Sequence, residues 1–157
     1  MLAVGQIAPD FDLPSLDGKS RSLHQILPAG PALLAFFKIS CPVCQFTFPF
    51  LERLYRGAAK AAPQLIGISQ DDAESTAGFN ENFGVTFPTL LDPSARNYPA
   101  GAAYRITTVP SLFLIERDGR ISQAAEGFVK TAMEDLGGAF GSAPFREGEN
   151  VPLIRPG

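Results

Sequence analysis

The stretch Ala32-Leu33-Leu34-Ala35-Phe36-Phe37-Lys38-Ile39-Ser40-Cys41-Pro42-Val43-Cys44 decides how the rest of the chain is read. Its first six residues are apolar without alternation, as in a central strand buried on both faces. Cys41 and Cys44 are the only two cysteines present. The residues from Gln45 to Lys60 read as a helix. A strand thus delivers two thiols to the first turn of a helix, an arrangement suited to thiol–disulfide exchange.

Only a thiolate attacks a disulfide, and a thiol of ordinary pKa is mostly protonated near neutrality. The first turn of a helix offers N–H groups without intrahelical partners and the positive end of the helix dipole, which favours an anion at Cys41. Pro42 fits just inside a helix start, where its missing N–H costs nothing. Cys44, three residues on, falls on the same face and can reach Cys41. Cys41 is therefore expected to attack and Cys44 to resolve. The Cys41–Cys44 disulfide would be the redox group, with no metal and no organic cofactor. A four-coordinate zinc site is not expected, because His24 is the only other Cys or His. His24 itself reads as a surface residue. A purely structural disulfide would close too small a loop to add much stability.

The chain of 157 residues suits one domain over 1–157, with a core at 4–140. Residues 141–157, rich in Gly, Pro and charge, read as a loop or a loosely docked extension. A net charge of −3 with scattered basic residues argues against a nucleic-acid partner. Thirteen Phe and no Trp point to a Phe-rich core. No apolar run is long enough to span a bilayer. Met1 to Gln6 lacks a charged segment and a long apolar one, so a cytoplasmic location is expected. The expected partner is a protein or small-molecule thiol or disulfide, and the expected state is a monomer or weak dimer.

Turn and capping signals divide the remainder. Asp17-Gly18 predicts a hairpin between Phe11–Leu13 and Ser20–Leu23, followed by a helical turn near Leu23–Leu27. The active helix carries Pro49 inside its pattern, which predicts a kink. Residues 64–69 read as a strand, Asp71-Asp72 as an N-cap, and Ala73–Phe83 as a helix ended by Gly84. Phe87–Leu91 reads as a short strand and 98–104 as a short helix. Ser111–Glu116 and Ile121–Phe128 read as a hairpin around Asp118-Gly119, and Lys130–Phe140 as an amphipathic helix. This order implies an α/β mixed sheet flanked by helices on both faces.

These residues together resemble the thioredoxin fold, closest to the TlpA/ResA-like thiol–disulfide oxidoreductases near the AhpC/TSA peroxiredoxin group. Gly5-Gln6-Ile7-Ala8-Pro9-Asp10-Phe11 and the Asp17-Gly18-Lys19 hairpin resemble that family's N-terminal extension. Cys41-Pro42-Val43-Cys44 is similar to its redox motif, and Pro49 falls where its active helices bend. Thr108-Val109-Pro110-Ser111 looks like the segment bearing its cis-proline, and roughly residues 71–95 resemble its βα insertion. The resemblance implies a cis Val109–Pro110 bond that turns the backbone of Val109 toward the cysteines as a substrate-binding edge.

The chain departs from that pattern in several places. Phe36-Phe37-Lys38-Ile39-Ser40 stands where the family has Trp before the first Cys. Ala35 occupies the place of the buried acid of thioredoxins, and Thr47 the place of a Glu common in ResA-like chains. No obvious carboxylate is left to deprotonate Cys44. Lys38 is a possible modulator of the Cys41 thiolate, and Phe46, Phe48 and Phe50 could line a substrate groove. A peroxiredoxin-like peroxidase is the alternative, although such enzymes place Thr three residues before the reactive Cys, where Lys38 stands. A copper carrier is a third reading, weakened because His24 precedes the pair and the spacing is CxxC.

Overall fold

The Asp17-Gly18 turn closes a hairpin in which β1 (Asp12–Pro14) pairs antiparallel with β2 (Ser20–Ser22). Ser22 then starts a one-turn helix, α1 (Leu23–Ile26), through a reciprocal capping box with Gln25. Strand β3 (Ala32–Phe37) follows and is buried at every residue. Leu33, Ala35 and Phe37 enter one core cluster; Ala32, Leu34 and Phe36 enter the other. The two-residue period of this strand thus divides the interior in two.

The computed structural model describes residues 1–157. Helix α2 (Pro42–Arg56) follows β3, then β4 (Gln64–Ser69), α3 (Ala73–Phe83) and β5 (Thr89–Leu91). Next come α4 (Pro99–Ala103), β6 (Ser111–Ile115) and β7 (Ile121–Glu126), and finally β8 (Phe128–Val129), α5 (Lys130–Phe140) and β9 (Ile154–Arg155). The central sheet has the order β5-β4-β3-β6-β7, with β3, β4 and β5 parallel, β6 antiparallel to β3, and β7 antiparallel to β6. Parallel neighbours need crossovers, and α2 and α3 supply them.

Helices α2, α3 and α5 cover one face with Phe48, Leu51, Phe79, Met133, Leu136 and Phe140. The hairpin, α1, α4 and Tyr104 cover the other. Phe48 sits at the centre of the first core, with its ring 4.4 Å from Phe37, 5.6 Å from Phe79 and 5.7 Å from Phe87. Each such ring taken out of water contributes about 1.5–3 kcal/mol. Pro49 lies within α2, which runs on to Arg56; the carbonyl four residues back receives no N–H from it.

Among the boundaries that differ from the sequence expectation, three have a local reason. Helix α2 begins at Pro42, where the proline signal puts its start, but ends at Arg56 with Gly57 as its C-cap rather than at Lys60, and Ala59 then donates its N–H to the Phe140 carbonyl. Strand β5 begins at Thr89 rather than Phe87, because Pro88 has no N–H to give and the Phe87 ring is drawn into the core. The expected strand Ile121–Phe128 breaks at Gly127, whose φ of 66° is left-handed.

That break redirects the tail. Residues 141–157 are not merely loose: β9 pairs antiparallel with β8, and Lys130 donates its N–H to the Leu153 carbonyl at 2.9 Å. Phe145 packs on Phe50 and Phe128. Arg53 of α2 holds Glu149 through two hydrogen bonds of 2.6 and 2.8 Å. The Arg53 guanidinium, helped by the Arg146 N–H, holds the Glu149 carboxyl down at about 2, below its usual 4.5. A carboxylate so lowered contributes docking that is full above about pH 4.5 and lost as pH falls through about 2. Limited proteolysis is therefore expected to find residues 141–157 protected at neutral pH and cut faster between those limits. Glu149→Gln should be cut somewhat faster than the unmodified protein at neutral pH; equal protection would show that the ion pair adds nothing to the β8–β9 docking.

Candidate active site

Strand β3 ends at Phe37, and three residues carry the chain to the top of α2. That link is tied from two sides. The Ile39 N–H donates to the Asp71 carboxylate at 2.8 Å, and Gln45 Nε2 donates to the Ile39 carbonyl at 2.9 Å. Cys41 is the N-cap residue of α2, with extended backbone angles of −81° and 114°. Its Sγ accepts the N–H of Cys44 at 3.2 Å. A sulfur thus stands where a capping oxygen normally does, facing N–H groups that have no intrahelical partner.

Both cysteines are free thiols, but their surroundings differ. Cys41 is half-buried, whereas Cys44 is sealed in the first core at 0% exposure. Burial pushes the Cys44 thiol far above its ordinary value, and its hydrogen bond with Cys41 pushes the same way. A backbone contact at Lys38 opposes the shift, while the charges of Cys41 and Asp71 add to it. Cys44 therefore holds its proton while Cys41 faces outward.

Opposite the sulfur lies the loop before β6. The Val109–Pro110 bond is cis, and Cys41 Sγ lies 3.4 Å from the Val109 carbonyl as a hydrogen-bond donor. A cavity of about 560 Å³ opens beside Cys41, lined also by Lys38, Pro42, Val109 and residues of the 97–108 segment. The Lys38 ammonium sits 5.6 Å from the centre of the Tyr98 ring. So Cys41, Cys44, Val109 and Lys38 come together at one end of the sheet.

Other expected residues fall elsewhere. Phe48 is fully buried and cannot line a groove; Phe50 lies under Phe145, and Phe46 under the Arg155 guanidinium, 4.7 Å from its ring centre. His24 is exposed on α1, which packs against the core that does not contain Cys44. Thr47 is buried and spends its hydroxyl on the Val43 carbonyl at 2.6 Å. The carboxylate whose field reaches Cys44 is Asp71. The Asp71-Asp72 pair was expected to cap α3, but only Asp72 does so, by accepting from Ser75 at 2.7 Å. No group of three His, Cys, Asp or Glu side chains is placed to share a metal ion, and no helix is long and apolar enough to cross a membrane.

Mixed sheet, capping sulfur, buried second thiol and facing cis-proline together define a thioredoxin-like dithiol protein. Residues 4–124 match the model of the AhpC/TSA family, and the chain belongs to that family. It is 31% identical over 127 residues to the thiol-disulfide oxidoreductase ResA of Geobacillus kaustophilus, an alignment spanning 80% of this chain and 71% of that protein. Among solved structures, the thioredoxin domain of a thiol-disulfide oxidoreductase from Bacteroides vulgatus matches with a TM-score of 0.78 at 21% identity, covering 89% of this chain and 99% of that one. A peroxidoxin of Mycobacterium tuberculosis matches with a TM-score of 0.73 at 22% identity, covering 88% and 98%. The two structures share the fold.

The contrast between the thiols has a direct readout. Brief treatment of the reduced protein with iodoacetamide near neutral pH, followed by peptide mass mapping, is expected to label Cys41 and spare Cys44. Labelling of Cys44 at a comparable rate would contradict the burial described above.

Proposed function

We propose that the chain is a thiol–disulfide oxidoreductase in which Cys41 attacks a substrate disulfide and Cys44 resolves the product. The observation that carries this reading is the unequal placement of the two sulfurs. One caps a helix at the protein surface; the other lies buried behind it with its proton held.

In the reducing direction, Cys41 Sγ displaces one substrate sulfur as a thiolate and joins the other in a mixed disulfide. The Cys44 proton must then leave, and Cys44 Sγ attacks Cys41 Sγ. The second substrate sulfur departs as a thiolate, and a Cys41–Cys44 disulfide remains. Two electrons have passed to the substrate, and the proton released by Cys44 ends on a departing substrate thiolate or in solvent. The reverse sequence oxidises a dithiol. Val109 offers the backbone edge at which the substrate approaches Cys41, and the substrates are disulfides or thiols of proteins or small molecules.

The test is a trapping experiment. Incubated with a protein disulfide such as that of insulin, Cys44→Ser should accumulate a mixed disulfide on Cys41, reversible by dithiothreitol. Cys41→Ser should form none, and the unmodified protein should complete the reduction. Consumption of hydrogen peroxide without any disulfide reduction would replace this reading with the peroxidase one.

The raised Cys44 pKa also sets a pH dependence. Because resolution requires the Cys44 thiolate, its rate should climb with pH through and beyond the ordinary thiol value of 9.0. Rapid-quench measurement of mixed-disulfide decay checks this; a plateau near neutral pH would contradict it.

A further inference from the structure

The cavity beside Cys41 is bounded by two segments outside the central sheet. On one side, residues 155–157 run along the exchange face. Gly157 lies so close to the Val109 carbonyl and Thr108 that a side-chain carbon there would collide with both. The neighbouring Phe46 ring is covered by Arg155. A group attached to a sulfur under attack by Cys41 is therefore steered to the other side. There the cavity of about 560 Å³ is large enough for a small ligand.

The far wall is a built structure. Asn97, Tyr98 and Arg105 are the only non-glycine residues of the chain with positive φ, at 56°, 49° and 54°. All three belong to the segment that carries this wall. Asn adopts such angles readily at the end of a helical turn, but for Tyr98 and Arg105 they are disfavoured and persist where the surroundings enforce them. Here the enforcing contacts are visible. Fully buried Asp92 accepts the N–H groups of Ala100 and Gly101 at 2.9 and 2.8 Å, and Gln70 lies 3.3 Å from the same carboxylate. A side-chain carbon at Gly101 would displace the Gln70 amide and crowd the Asp92 carboxylate. Tyr104 is buried and donates its hydroxyl to the Pro9 carbonyl at 2.7 Å.

Among the side chains of the cavity's thirteen lining residues, that of Lys38 is the only charged one, in a chain of net charge −3; Glu126 lies outside the lining, where it accepts from Thr107 at 3.4 Å. The Tyr98 ring face holds the ammonium at the cavity by a cation–π contact. Asp92 stands behind the wall with both oxygens engaged, and Asp71 is turned to Ile39.

From this geometry we infer that the cavity is a subsite for the carboxylate-bearing part of a small disulfide, with Lys38 as the residue that selects it. The inference rests on the exchange reading above and narrows its substrate class. A low-molecular-weight disulfide enters with one sulfur at Cys41 and its anionic arm toward Lys38. Cys41 takes one half as a mixed disulfide, the other half leaves as a thiolate, and Cys44 closes on Cys41 to release the second.

The test compares three disulfides of similar size: 3,3′-dithiodipropionate (dianion), 2-hydroxyethyl disulfide (neutral) and cystamine (dication). Single-turnover rates are measured with the pre-reduced protein, so no external reductant enters. The readout is the ratio of the anionic to the neutral rate constant, which cancels any general change at Cys41. Lys38→Glu should lower this ratio by about tenfold, Lys38→Gln by less, and added salt should reduce the wild-type preference. Tyr98→Leu, which removes the seat of the ammonium, should lower the ratio as well. If Lys38→Glu changes all three rates in equal proportion, Lys38 acts on the Cys41 thiolate and the subsite is overturned. If the protein reduces none of the three yet reduces insulin, the small-molecule subsite is overturned while the exchange activity stands. If it reduces neither, the exchange reading falls and takes the subsite with it.

Discussion

The hydrogen bond from the Cys44 N–H to Cys41 Sγ is the contact on which the site depends. It makes a sulfur the cap of α2, so the position of the reactive atom is the position of the helix start. That start is fixed in turn by β3, whose six residues are buried on both faces and cannot slide without turning each core side chain to the wrong face. Pro42 begins the helix with no amide to satisfy. Ile39 is held by Asp71 and Gln45. Strand, link and cap thus form one rigid path from the centre of the sheet to the sulfur.

The same short path separates the chemistry of the two thiols. Three residues of helix turn the second sulfur inward, among the aromatic side chains of the first core. Each pKa unit by which burial disfavours its ionised form corresponds to about 1.4 kcal/mol. Asp71 reinforces the effect, since its negative charge disfavours a second anion nearby. In the proposed exchange, this arrangement keeps Cys44 protonated while Cys41 meets a substrate. It also places the demand on the proton-transfer step, where neither Ala35 nor Thr47 offers a carboxylate.

Local pattern was enough to read the framework. The apolar run at 32–37, the Asp72 cap and Gly84 stop around α3, and the amphipathic stretch 130–140 each state their structure within a few residues. The geometry of the candidate site was legible where its signal was local, as at Cys41, Pro42 and Cys44. It was not legible where partners are distant. Asp71 looks like one of two capping acids until the fold brings Ile39 to it across 32 positions. Phe46 and Phe50 look like groove residues until Arg155 and Phe145 arrive above them. Left-handed angles at Asn97 and Tyr98 have no glycine to announce them; they are imposed by Asp92 and by packing around Tyr104.

The breadth of the exchange face follows from a single backbone reversal. Strand β7, at the edge of the central sheet, stops at Glu126. Gly127 turns left-handed and donates its N–H to the Pro110 carbonyl, which ties the turn to the cis-proline loop itself. The next two residues then splay away as β8 and accept β9. A side chain at 127 would strike the Arg155 carbonyl, so the turn and the docked tail require the same glycine. The pairing carries Gly157 onto Val109, beside Cys41. One left-handed residue thereby links the sheet register to the space available around Cys41 Sγ, in a cavity that Gly157 and Lys38 both line.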